Sequence, residues 1–190
     1  MGSICVREWS KIMDKTVLTC LVFVWAFERK KLLVIRKLRG MGKNKWNFPG
    51  GKKLKDESLV EAARRELFEE TGIGLKSESE NFNFEKAGVI YFYFDKPEDP
   101  GRDPENWSNE CHLFCVDLKT QSLPTVRAFD SAECEPFWAD FESLPWKNFW
   151  PLDKEWVPKL RRGEHVSYEV FFDSNGVLKT FKDRTKEYTG

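Results

Sequence analysis

Histidine is almost absent from this chain, whose 190 residues include only His112 and His165, and neither sits beside a recognisable catalytic or metal-binding pattern. Chemistry centred on imidazole therefore has little to build on. Cysteine offers no framework either. Cys5, Cys20, Cys111, Cys115 and Cys134 are odd in number and include no C-x-x-C pair, which argues against a zinc or disulfide scaffold and for reduced, buried thiols. Net charge is missing as well: 31 Lys and Arg balance 31 Asp and Glu. No overall field draws the chain to nucleic acid or to an anionic membrane. No apolar run reaches bilayer length, since Val17 to Phe27 is interrupted by Thr19 and Cys20, and no cleavable leader precedes it. Met1-Gly2 is followed by Val6 where myristoylation needs Ser or Thr. The expectation is a soluble, cytoplasmic, monomeric protein without membrane attachment or stable nucleic-acid binding. Repeats and low-complexity tracts are absent too.

What is present is an aromatic-rich chain, 41% hydrophobic and 15% aromatic, of a length that suits one well-buried domain. The expected organisation is an extension over 1–15, a domain over 16–182 and a tail over 183–190. Val17 to Phe27 and Lys31 to Leu38 are rich in β-branched and aliphatic residues around the charged turn Glu28-Arg29-Lys30, which predicts paired strands. A basic stretch follows, with Arg36, Lys37, Arg39, Lys43 and Lys45 leading to a glycine-rich turn. These cations are either phosphate contacts or solvated side chains. Strands are also predicted over Phe84 to Phe94, Cys111 to Leu118 and Pro136 to Phe141, with a polar loop over Asp95 to Glu110. Ser58 to Thr71 and Asp153 to Arg162 read as helices. Ser167 to Phe172 and Val177 to Phe181 flank Asp173-Ser174-Asn175-Gly176, whose Asn-Gly step signals a hairpin. Strands and helices mix without a regular βαβ repeat, so the fold class is α+β.

The chemistry concentrates between Gly51 and Ile73, where the chain follows G-x5-E-x7-R-E-U-x-E-E-x-G-U, with U a bulky aliphatic residue. The fixed positions are Gly51, Glu57, Arg65, Glu66, Leu67, Glu69, Glu70, Gly72 and Ile73. On a helix ending at Gly72, Glu66, Glu69 and Glu70 stand at i, i+3 and i+4, which puts three carboxylates on one face within reach of one another. Clustered anions of this kind suit Mg²⁺, or Mn²⁺ in its place, and such a cation implies a phosphate ester substrate. Val60, Ala63 and Leu67 form an adjacent stripe that can bury against a sheet, with Ala62 and Phe68 beside it. Pro49-Gly50-Gly51 provides a backbone that a ligand can approach closely.

This pattern is similar to the Nudix box, and the resemblance implies a mixed sheet sandwiched between helices and Mg²⁺-dependent attack of water on a nucleoside diphosphate derivative. It also implies that Glu57 pairs with Arg65, orienting Glu66, Glu69 and Glu70 as metal ligands. The box leaves the substrate open. Its flanks, Trp46-Asn47-Phe48-Pro49-Gly50-Gly51-Lys52, Glu133 to Trp138 and Leu144 to Trp156, resemble the oxidised purine nucleoside triphosphate hydrolases, or MutT-type 8-oxo-dGTP diphosphatases. That resemblance implies that Asn47 bonds the base, Trp150 stacks on it, Asp153 reads its Watson–Crick edge, and Trp156 and Met41 line the pocket. Gly50, Gly51 and Lys52 would face the substrate. Glu133 would approach the metal as a fourth carboxylate and possible water-activating base. The family pattern has two consecutive aspartates after the proline, whereas this chain has Leu152 before Asp153, which puts the family's broad purine specificity in doubt. Other nucleotides, such as a dinucleoside polyphosphate or an undamaged dNTP, a silent binding module and RNA 5′-end processing are the alternatives.

Overall fold

The computed structural model describes residues 17–40, 42–74, 82–94, 108–120, 122–130, 132–173 and 175–187. Eight strands and two helices run in the order β1 (Val17–Ala26), β2 (Lys31–Lys37), β3 (Trp46–Asn47), α1 (Leu59–Thr71), β4 (Glu85–Phe94), β5 (Asn109–Leu118), β6 (Cys134–Asp140), α2 (Asp153–Arg161), β7 (Val166–Phe172) and β8 (Leu178–Asp183). All eight strands join one sheet in the order β3-β2-β1-β5-β4-β7-β8, with β6 also paired to β2. The sheet is mixed: β1 runs parallel to β5 and β4 parallel to β7, while the other pairs are antiparallel. β2 meets β1 at Leu32 and β3 at Ile35 along one edge, leaving its other edge to β6.

Alternation along the strands explains how both faces are filled. On β1, Phe23 and Trp25 join a core with Trp156, Val157 and Leu160 of α2, whereas Val22, Val24 and Ala26 join a second core with Ala62, Ala63 and Leu67 of α1. Leu113 and Cys115 of β5 belong to the first core, and Phe114 and Val116 to the second. A sheet buried on both sides in this way is the sandwich that the mixed pattern and the resemblance together imply. One detail differs: Val60 is 37% exposed, and the buried stripe of α1 is Ala62, Ala63 and Leu67. Val60 lies in the first turn of α1.

The predicted strands and helices all appear, with their ends shifted by up to two residues. β3 is additional, and so are the short 3-10 turns Phe141–Ser143 and Trp146–Asn148 that lead toward α2. At the β1–β2 turn Phe27, Glu28 and Arg29 all adopt positive φ, a conformation costly for residues with a Cβ. Arg29 offsets the strain by donating to Asp117 Oδ1 at 2.9 Å and Oδ2 at 2.6 Å, and to the carbonyls of Leu160 and Arg161 at the end of α2. Among the described residues Cys20, Cys111, Cys115 and Cys134 are buried and unpaired, as their spacing predicts.

Candidate active site

α1 is framed by its own sequence. Ser58 Oγ accepts from Glu61 N at 3.2 Å while Glu61 Oε2 accepts from Ser58 N at 2.7 Å, a reciprocal cap that starts the helix. Gly72 ends it at φ 74°, its N–H donating to Phe68 O at 2.7 Å. The last turns thereby present Glu66, Glu69 and Glu70 beside the loop Pro49-Gly50-Gly51. That loop is laced to β1, with Cys20 N donating to Gly51 O at 2.9 Å and Val22 N to Pro49 O at 2.8 Å. Glycine is required at Gly50, where a Cβ would fall 2.1 Å from the backbone oxygen of Cys20, whereas a Cβ on Gly51 would fall 2.4 Å from Glu66 Oε1 and push that carboxylate aside.

Arg65 organises the carboxylates. Its Nε and Nη2 donate to Glu57 Oε2 at 3.0 Å and Oε1 at 2.8 Å, and Nη2 also reaches Lys52 O at 3.0 Å. Its Nη1 donates to Glu66 Oε1 at 2.8 Å and Glu69 Oε2 at 3.1 Å. The paired guanidinium holds the Glu57 carboxyl down at about 2. Burial pushes the Glu66 carboxyl up, with Glu69 and Glu133 adding repulsion. Glu70 is 7% exposed, and burial raises it to about 8, although Gly50 N donates to its Oε2 at 2.8 Å. Glu133 stands just before β6, whose Cys134 thiol donates to Glu70 O at 3.8 Å. Glu133 Oε2 accepts from Arg39 Nη2 at 3.2 Å, and the same nitrogen donates to Asp130 Oδ2 at 2.8 Å.

The residues expected to hold a base divide into two groups. Asn47 lies on β3 opposite Ile35, and its side-chain amide has no partner among the described residues. Trp150 is half-buried, with Phe172 edge-on at 5.6 Å and Lys45 Nζ 5.3 Å from its ring centroid. Asp153 is 4% exposed; its Oδ2 accepts from Trp150 N at 3.2 Å, and burial raises its carboxyl to about 7. Trp156 requires a correction. It is 1% exposed and wedged against Phe23 and Phe48, so it is a core residue and offers no surface to a ligand. Met41 lies outside the described residues, and Lys52 is exposed beside the glycine loop. Three further aromatics escaped the sequence reading: Phe92 and Phe94 stack on Phe172 at 6.4 and 5.0 Å, extending the wall beside Trp150. Their i, i+2 spacing on a strand was the available signal.

The sequence pattern of the NUDIX domain matches residues 15–160. The chain belongs to the Nudix hydrolase family. It is 31% identical to the oxidized purine nucleoside triphosphate hydrolase of Mus musculus over 82% of this chain and 88% of that protein. The protein of the same name from Danio rerio is also 31% identical, over 88% of this chain and 96% of its own length. Among solved structures, a MutT protein from Bacillus halodurans superposes with a TM-score of 0.64 at 21% identity, covering 88% of this chain and 97% of that one. At that identity the likeness shows the Nudix fold.

The Nudix carboxylates suit a divalent cation by chemistry, being hard oxygen donors whose mutual repulsion a cation would relieve. Their geometry departs from the expected cluster: among the described residues no three acidic, histidine or cysteine side chains are gathered to hold an ion. Each anion has found a donor instead, Arg65 for Glu66 and Glu69, Gly50 for Glu70 and Arg39 for Glu133. Arg65 engages Glu66 through Oε1 and Glu69 through Oε2, which leaves the other oxygen of each carboxylate for a cation. A separate cleft of about 590 Å³ lies at the far end of β1, lined by Trp25 to Arg29 and Asp117 to Thr120, and contains none of these residues. No helix among the described residues is long and apolar enough to cross a membrane.

Proposed function

We propose that this Nudix hydrolase converts oxidised purine nucleoside triphosphates of the 8-oxo-dGTP type to the monophosphate and pyrophosphate, using Mg²⁺ or Mn²⁺. The observation that supports this most is the short segment that joins the two groups: Lys45 Nζ stands 5.3 Å from the Trp150 ring centroid and Gly50 N donates to Glu70 Oε2, so the same loop borders both the aromatic group and the carboxylates. The similarity to relatives named for oxidised purine nucleoside triphosphates points the same way.

In this reading Trp150 stacks on the purine, with Phe92, Phe94 and Phe172 as the wall behind it, while Asn47 and Asp153 bond its edge. Glu66, Glu69, Glu70 and Glu133 hold the cation, and Arg65, fixed by Glu57, positions the first two. When bound, the cation neutralises phosphate charge and polarises the phosphorus under attack. In the same reading Glu133, which lies outside the helix, accepts the proton of the attacking water. Lys52 and the Gly50-Gly51 backbone border the phosphates.

A nucleotide panel tests this. With Mg²⁺ present, chromatography should show the monophosphate and pyrophosphate appearing from 8-oxo-dGTP faster than from dGTP, a dinucleoside polyphosphate or ADP-ribose. Equal rates on 8-oxo-dGTP and dGTP would reject the oxidised-purine reading, and preference for a dinucleoside polyphosphate would replace it. Silence toward the whole panel would favour a binding module.

A further inference from the structure

Among the described residues, Lys45 is a cation set against Trp150, the aromatic proposed to stack on the base. It directly precedes β3, is partly buried, and its Nζ lies 5.3 Å from the Trp150 ring centroid. An ammonium carries three N–H donors. Here the side chain meets one protein acceptor among the described residues, Phe149 O at 3.3 Å. The ammonium stands over the indole, and its remaining donors are open to water or to an acceptor on a ligand. Asp153, bonded to the backbone of the same tryptophan, is in the complementary condition. Its Oδ2 accepts from Trp150 N, while Oδ1 accepts nothing from the described residues. The residue before it, Leu152, is buried in the core and adds no second carboxylate. The charge whose field acts on Asp153 is that of Lys45.

We infer that Lys45 is a specificity-determining residue that, paired with Asp153, selects guanine-type over adenine-type purines by donating to the keto oxygen of the base. This rests on the purine nucleotide reading proposed above. An ammonium only donates, and above about pH 7 the Asp153 carboxyl is ionised and only accepts, so the two form an ordered pair there. Guanine presents a keto oxygen followed by N–H donors along its edge, and adenine presents an amino donor followed by an acceptor nitrogen. The two orders are opposite. A pocket with the pair fixed around one tryptophan fits one of them and sets like groups against each other for the other. The four-carbon stem of lysine lets the ammonium reach the edge of a base stacked on the indole. A phosphate contact would instead act on every triphosphate alike.

The test compares 8-oxo-dGTP with 8-oxo-dATP using the full chain and its Lys45→Met, Lys45→Gln and Lys45→Arg variants. The wild type should favour 8-oxo-dGTP in kcat/KM, and Lys45→Met should erase about 10- to 100-fold of that ratio, the worth of a charge-assisted hydrogen bond in a desolvated site. Lys45→Arg should retain most of it. A second readout needs neither metal nor turnover: quenching of tryptophan fluorescence by 8-oxo-dGMP and 8-oxo-dAMP. Binding of the guanine nucleotide should weaken in Lys45→Met and Lys45→Gln while that of the adenine nucleotide does not. Equal losses on both nucleotides would assign Lys45 to phosphate and overturn the inference. So would an unchanged ratio in both neutral variants, or a wild-type preference for 8-oxo-dATP. If the wild type turns over neither triphosphate, the hydrolase reading fails separately, and the binding ratio still decides the role of Lys45.

Discussion

Asp153→Asn should stabilise the protein at neutral and alkaline pH and leave it unchanged in acid. Burial holds the Asp153 carboxyl at about 7, against an ordinary value of 3.8. The folded state therefore binds the proton more tightly than the unfolded chain. Below about pH 4 both states are protonated and the group costs nothing; between about pH 4 and 7 the unfolded chain ionises while the folded one resists, so stability falls as pH rises. A gap of about three pH units at about 1.4 kcal/mol each gives an order-of-magnitude ceiling of about 4 kcal/mol, reached above pH 7. The asparagine carbonyl keeps the bond from Trp150 N, 3.2 Å long in the native protein, and carries no charge. Urea unfolding at about pH 4 and pH 8 reads the difference directly. A gain already present in acid, or none at pH 8, would refute the placement of Asp153 as a buried acid. Activity should move the other way, since the amide replaces a pure acceptor at the base edge.

Other changes separate the site from the scaffold. Glu69→Gln and Glu70→Gln should each lower turnover by about 100-fold or more while the melting temperature holds, because Glu69 is exposed and a glutamine at 70 keeps the buried shape and the bond from Gly50 N without a charge. Gly50→Ala should cost about 1–3 kcal/mol of stability, since its Cβ would meet the backbone oxygen of Cys20, whereas Gly51→Ala should melt near the wild type and lose activity by displacing the Glu66 carboxylate. Arg65→Met should release Glu57 from its two hydrogen bonds, lowering stability by about 1–3 kcal/mol in denaturant titration and weakening cation binding.

The local parts of this structure were legible because local chemistry dictates them. The apolar runs of β1, β2, β4 and β5 mark strands, Gly72 marks the end of α1, and Asn175-Gly176 marks the β7–β8 turn. What stayed hidden depends on distant contacts. Nothing near Val17 announces that β1 pairs in parallel with β5 along its whole length. Trp150 and Trp156 are six residues apart and identical in type, yet Phe23 and Phe48 bury one while the other stays half open beside Lys45. The carboxylate spacing on α1 was readable, whereas the capture of Glu66 and Glu69 by Arg65 belongs to the folded loop and helix together. Phe92 and Phe94 read as ordinary strand aromatics until β7 brings Phe172 against them.

The most direct test of the site is cation binding itself. Titration of the protein with Mn²⁺, followed by electron paramagnetic resonance, should show ions held by the wild type and released on addition of excess Mg²⁺. Affinity should fall by about 10-fold or more in Glu66→Gln, Glu69→Gln and Glu70→Gln. Binding that is absent in the wild type, or unchanged in all three variants, would contradict the assignment of these carboxylates to a metal-dependent hydrolase.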